Sequence, residues 1–123
     1  MTKVTMFWIA IAILIVCGLV ASWYMKTLPG KYDTLAQCLG EKSAKFYGAF
    51  WCPHCLEQKK MFGNSAKLLP YVECSEADKK TQTPICIEKE IKQYPTWILA
   101  DGTRLPGEQT PQVLAEKVGC SLE

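Results

Sequence analysis

The sequence, 123 residues long, is poor in four respects. It has one histidine, no close cysteine pair other than Cys52 and Cys55, no cluster of lysine and arginine, and no internal repeat or low-complexity stretch. Scarce histidine and the lack of a second Cys-x-x-Cys count against a zinc site, which takes four ligands usually supplied as two close pairs. The lack of a basic cluster counts against nucleic acid, since phosphates have to be neutralised by a lysine and arginine footprint. The net charge is only +2. Lys3 and Lys26 account for it, and the chain from Lys31 onward carries 12 basic and 12 acidic residues. Charge is also missing from one long stretch. From Phe7 to Met25 there is no ionisable Lys, Arg, Asp or Glu, and only Gly18 and Ser22 fall outside the apolar set.

That run, FWIAIAILIVCGLVASWYM, would be about 28 Å long as a helix, close to the roughly 30 Å hydrocarbon thickness of a bilayer. Trp8 near one end, with Trp23 and Tyr24 at the other, sits where aromatic rings favour the membrane interface. Residues 1–26 are therefore read as a transmembrane anchor, 27–32 as a linker around Pro29-Gly30, and 33–123 as one small domain with a single core. The alternative is a cleaved signal peptide, whose apolar region runs to about 7–15 residues. Val20-Ala21-Ser22 is a weak cleavage site for that reading, and Val16 before Cys17 does not suit lipid attachment. Cys17 itself reads as a small apolar side chain. Lysines on both sides of the run leave its orientation open.

Beyond the linker, Asp33 or Thr34 can cap a short helix that carries Leu35, Cys38 and Leu39 and ends at Gly40. Lys45–Phe50 is aromatic-rich and reads as a buried strand. Leu56–Leu69 has helical character, with a bend expected at Gly63-Asn64 and a stop at Pro70. Tyr71–Cys74 reads as a short strand and Glu76–Gln82 as a polar loop. Thr83-Pro84 opens a helix with Ile87 and Ile91 in register. Thr96–Ala100 is a strand with Trp97 in the core, Asp101-Gly102 a hairpin turn, and Arg104-Leu105 the return strand. Thr110-Pro111 opens the last helix, with Leu114 and Val118. The mixture of strands and helices predicts an α/β domain with a central mixed sheet.

Cys52 and Cys55 fall where the aromatic strand meets the next helix. Three residues apart on a first helical turn, their sulfurs lie on one face, near enough to close a disulfide. The first sulfur also meets free backbone N–H groups and the positive end of the helix dipole, which stabilise a thiolate. Cys52 is therefore expected to be an exposed nucleophile of lowered pKa, and Cys55 the resolving thiol that attacks a mixed disulfide on Cys52. Pro53 suits the first helical turn, where its missing N–H has no partner. His54 can place a donor or a positive charge beside the Cys52 thiolate, favouring the reduced form and making the disulfide more oxidising.

Phe50-Trp51-Cys52-Pro53-His54-Cys55, followed by Tyr94-Pro95-Thr96, resembles the thioredoxin superfamily, and its Cys-Pro-His-Cys centre is of the type in DsbA-like periplasmic oxidants. The segments AQCL, KFYGAFWCPHC, LLPYVECS, QTPIC, YPTW and EKVGC extend the resemblance over residues 33–120. They are similar to the thioredoxin-like domain fused to bacterial and plant homologues of vitamin K epoxide reductase. The resemblance implies a thioredoxin-like fold. It implies a redox pair at Cys52 and Cys55 and no cofactor beyond their disulfide. Pro95 would be the cis-proline beside that disulfide, with the Tyr94 backbone bonding an extended substrate; the plainer reading of Tyr94-Pro95 is a helix stop. Trp51 would belong to the substrate-facing rim. The partners implied are cysteine-containing secreted or membrane proteins and a quinone-linked membrane oxidase, expected to be a separate protein because its four-helix bundle has no counterpart in the sequence. Phe46 stands where thioredoxins keep a buried acid for proton transfer, which counts against a general reductase.

The resemblance also implies a Cys74–Cys86 disulfide, which would add about 3 kcal/mol in the chain-entropy model. Cys38 with Cys120 requires the first and last helices of the domain to be neighbours; otherwise both are unpaired thiols. Six cysteines that sort into three pairs favour an oxidising compartment, hence a periplasmic or lumenal domain. The expected function is a membrane-anchored thiol:disulfide oxidoreductase that donates disulfides. Its rivals are a reductase or isomerase on the same fold, and a metal-binding or assembly-factor module using Cys52 and Cys55 as ligands.

Overall fold

A computed structural model describes residues 1–122. Glu123, the last residue of the expected domain, lies outside the described residues.

The chain begins with α1 (Lys3–Thr27), capped at Thr2, whose hydroxyl accepts from Thr5 N. This helix buries none of its residues and is long and apolar enough to cross a membrane. The domain follows as α2 (Asp33–Glu41), β1 (Lys45–Gly48), α3 (Pro53–Phe62), a 3₁₀ turn (Gly63–Leu68) and β2 (Tyr71–Glu73). Then come α4 (Pro84–Glu88), β3 (Thr96–Ile98), β4 (Arg104–Pro106) and α5 (Pro111–Val118).

The four strands form one mixed sheet in the order β2-β1-β3-β4, with β1 parallel to β2 and antiparallel to β3. Register sets Tyr71, Phe46, Trp97 and Leu105 in one row across it. Because side chains alternate along a strand, that row faces one side and Tyr47, Val72 and Ile98 face the other. Phe46 stacks on Trp97 at 5.0 Å and meets Tyr71 edge-on at 5.0 Å. The row packs with Leu35, Leu39, Cys55, Phe62 and Leu114 from α2, α3 and α5 into the main core. On the opposite side Tyr47, Cys74, Cys86 and Ile91 make a smaller cluster. This is the thioredoxin-like α/β architecture expected, with the N-terminal apolar helix beside it.

Several local expectations are corrected. The strand from Lys45 stops at Gly48, because Phe50 N turns away to the Glu73 carboxylate and Cys52 N bonds back to Ala49 O. The helix expected through Leu69 gives way at Gly63 (φ 54°) to the 3₁₀ turn. Asp33 and Thr34 do not cap α2: Tyr32 holds the cap position without a side-chain bond, and the helix runs one residue past Gly40. Thr83 holds the cap of α4, but its hydroxyl donates to Glu73 O instead. That helix is only five residues long, so Ile91 is buried while Ile87 is 58% exposed, not on one face with it. Thr110 does cap α5, accepting from Val113 N at 3.2 Å.

The linker is tied down. Asn64 Nδ2 donates to Met25 O (2.9 Å) and Leu28 O (3.3 Å), and Tyr32 N donates to Ser65 Oγ (2.9 Å). Gly30 approaches Ser65 so closely that a Cβ there would overlap its backbone nitrogen and hydroxyl.

Candidate active site

β1 delivers the chain through Ala49-Phe50-Trp51 to Cys52, which holds the N-cap position of α3 with Pro53 at the first turn. Proline is tolerated there because the N–H it lacks would have had no partner in the first turn. Cys52 and Cys55 are both free thiols. The four other cysteines after α1 are bridged: Cys38 to Cys120, joining α2 to the end of α5, and Cys74 to Cys86, joining the end of β2 to α4. Cys17 is free and exposed on α1.

Cys52 is more enclosed than expected. It is 7% exposed, not an open surface thiol, because the loop after α4 crosses it and the thiol donates to Tyr94 O at 3.7 Å. Cys55 is fully buried, so access still favours Cys52. Burial is the main cause that pushes the Cys55 thiol up to about 12. The Ala49 N–H at 3.5 Å opposes it, a hydrogen bond to Cys52 adds to it, and the Lys59 ammonium opposes it.

The other expected site residues gather around this pair. The Tyr94-Pro95 peptide is cis, and Pro95 is fully buried. Trp51 is 41% exposed, meets Tyr94 edge-on at 6.2 Å, and donates from its indole to Ser75 Oγ at 2.8 Å. Gln82 Nε2 donates to Tyr94 OH and Ile91 O, both at 2.9 Å. Ser75 and Gln82 pair with one another in an isolated bridge. They follow Cys74 and precede Cys86, so that disulfide closes the loop supporting Trp51 and Tyr94. Pro53 is exposed, and His54 points outward with Nδ1 3.4 Å from Glu108 Oε1. Cys38 and Cys120 lie away from this cluster, holding α2 against α5.

Two contributors carried no expectation. Gln58, one turn after Cys55, is fully buried. Its Oε1 accepts from Trp97 Nε1 (3.1 Å) and Gln109 N (2.7 Å), and its Nε2 donates to Gln109 O (2.8 Å), fixing the loop that carries Glu108. Its place at i+3 from Cys55 and i−4 from Phe62 was a legible sign of burial. Glu73 closes β2, and its carboxylate accepts from Phe50 N, Tyr71 OH, Cys74 N and Ser75 N. Nothing in its local sequence marks it.

Among the described residues no group of three or more His, Cys, Asp or Glu converges to hold a metal ion. Chemically, the arrangement can alternate between a dithiol and an intramolecular disulfide, with a nearby backbone carbonyl and aromatic rim.

Fold and site together define a thioredoxin-like α/β domain carrying a cysteine pair at a helix start. No family model matches the chain. It is similar to the thiol-disulfide oxidoreductase LTO1 of Arabidopsis thaliana, 50% identical over 93 residues that cover 72% of this chain. The chain spans 24% of the length of that curated relative.

Proposed function

We propose that this protein is a membrane-anchored thiol:disulfide oxidoreductase that donates disulfides to cysteine-containing secreted or membrane proteins. The observation that carries the reading is the segregation of cysteines: among the described residues of the domain, the only two free thiols stand together at the start of α3 beside Tyr94 O, while the other four are bridged. The similarity to a protein named a thiol-disulfide oxidoreductase supports it.

In this reading a substrate thiolate attacks Cys52 Sγ of the Cys52–Cys55 disulfide, and Cys55 leaves with the electron pair and takes up a proton. The second substrate thiol then attacks its partner sulfur, forming the substrate disulfide and releasing Cys52. The helix N-terminus stabilises the departing Cys52 thiolate. Tyr94 O accepts a backbone N–H of the extended substrate beside Pro95, and the exposed Phe50 and Trp51 rings shelter the reacting sulfurs. Pro53 and His54 set the poise. α1 holds the domain on the extracytoplasmic side, and a quinone-linked membrane oxidase of the vitamin K epoxide reductase type removes the two electrons.

The full chain with Cys55→Ala should accumulate mixed disulfides on Cys52 in membranes, visible as adducts that a reductant collapses. An absence of covalent partners would sink the exchange mechanism. A Cys52–Cys55 reduction potential of about −120 to −180 mV would support disulfide donation, and one near −270 mV would assign the reverse direction.

A further inference from the structure

Within that reading His54 sets the poise of Cys52, yet its ring is turned to another partner. His54 Nδ1 lies 3.4 Å from Glu108 Oε1, in the loop between β4 and α5. A carboxylate only accepts, so the contact places a proton on Nδ1 and aims it at Glu108. A neutral ring fixed in that tautomer keeps a bare Nε2, which has no proton to donate to a thiolate. The position of Glu108 is built into the site, because the residues on both sides of it are fastened to the elements that carry the cysteine pair. Gly107 N donates to Pro95 O at 2.8 Å, tying the loop to the cis-proline itself. Gln109 N donates to Gln58 Oε1 at 2.7 Å and Gln109 O accepts from Gln58 Nε2 at 2.8 Å, tying the loop to α3. The Gln109 side-chain amide adds bonds to Pro106 O (3.2 Å) and Gly107 O (3.4 Å). Glu57, the carboxylate nearest to His54 in sequence, is engaged by Lys60 Nζ at 2.8 Å instead.

We propose that Glu108 is a positioning residue that withholds His54 from the Cys52 thiolate and so limits how oxidising the Cys52–Cys55 disulfide is. Its carboxylate acts in two ways. It occupies the donor of the ring, and its negative charge offsets any positive charge that His54 acquires, so the pair brings no net positive charge to the start of α3. The Cys52 thiolate is then left with the free backbone N–H groups of the helix N-terminus. Without the Glu108 charge the same ring can turn its donor or its imidazolium toward Cys52. A more stable thiolate stabilises the dithiol, and a more stable dithiol makes the disulfide a stronger oxidant. The Cys-Pro-His-Cys motif by itself therefore overstates the oxidising power of this chain, and the residue that moderates it stands 54 positions from the histidine.

The test uses the full chain in detergent with Cys17→Ser, equilibrated with glutathione. Two glutathione thiols reduce the Cys52–Cys55 disulfide to the dithiol and leave as one glutathione disulfide. The ratio of the two protein forms, read by mass spectrometry on the alkylated Cys52–Cys55 peptide, gives the potential. Glu108→Gln keeps the size of the side chain and removes its charge. It should shift the equilibrium about threefold to fivefold toward the dithiol, the scale of a surface ion pair, which raises the potential by about 15–20 mV. In a His54→Ala chain the same replacement should shift it by less than about 1.5-fold, and the difference isolates the contact. A merely structural loop residue would lower the melting temperature and leave the potential where it was. No shift with His54 present, a shift toward the disulfide, or an equal shift in both backgrounds would overturn the proposal. A parent chain whose cysteine pair does not exchange with glutathione, or whose potential is the same with and without His54, would overturn the reading beneath it and the proposal with it.

Discussion

The two covalent bridges and the free pair lie in one small domain, yet their surroundings prepare them for opposite fates. Cys74 and Cys86 are both fully inaccessible and sit in the cluster on one face of the sheet with Tyr47 and Ile91. Cys55 is equally inaccessible, but its partner Cys52 keeps a 7% opening beneath Tyr94 O at the start of a helix. Burial alone therefore does not separate a structural sulfur from a reactive one. A helix N-terminus beside one member of the pair, with a route from solvent to that sulfur only, makes the difference.

Removing sulfurs should expose that contrast most strongly. Cys52→Ser should reduce exchange to background and leave thermal stability nearly unchanged, since an unbridged side chain closes no loop. Replacing Cys38 and Cys120 by serine should cost about 4–5 kcal/mol, and replacing Cys74 and Cys86 about 3 kcal/mol, following their loop lengths in the chain-entropy model. The sequence separations are 82 and 12. Denaturant unfolding checks both. Only the second pair should also weaken substrate trapping, because Ser75 and Gln82 hold Trp51 and Tyr94 from inside that loop. Equal losses of exchange for both pairs would erase the distinction.

A smaller effect separates the two states of the free pair. Burial raises the Cys55 thiol from 9.0 to about 12 in the folded dithiol. The folded state therefore binds that proton more tightly than the unfolded chain does. The resulting stability is in full effect below pH 9.0 and is lost as pH rises toward about 12. The disulfide form has no such proton. Unfolding followed across this window should show the reduced chain losing stability relative to the oxidised chain; parallel curves would mean that Cys55 is as wet as an ordinary thiol.

How much of this could be read from residues alone follows from the range of each interaction. The cysteine pair, the proline caps at Thr110-Pro111, the Trp97 core position and the mixed α/β order are local patterns, and short segments carry them. Helix position alone makes Cys52 an open thiol, because it says nothing of the Tyr94-Pro95 loop that arrives from 42 residues away. The spacing of Ile87 from Ile91 suits one buried helix face, but α4 ends at Glu88 and the period ends with it. Glu73 was invisible because its partners are mainly backbone N–H groups, which every sequence supplies.

The smallest effect concerns the joint between α1 and the domain, where the sequence offered only a linker. Asn64 caps the end of α1 through Met25 O and Leu28 O, and such exposed bonds contribute about 0.5–1.5 kcal/mol each. Asn64→Ala should leave the bridged core and the free pair untouched. It should nevertheless free the backbone between Lys26 and Lys31, so that trypsin cuts there faster at unchanged melting temperature. Gly30→Ala should go further in the same direction, since its methyl group overlaps Ser65 and the linker has to lift away. If both variants resist trypsin as the parent does, these contacts do not hold the domain against the helix, and the redox site swings free on residues 28–32. If they are cut faster while disulfide exchange in solution is unchanged, the joint orients the site relative to α1 without taking part in its chemistry.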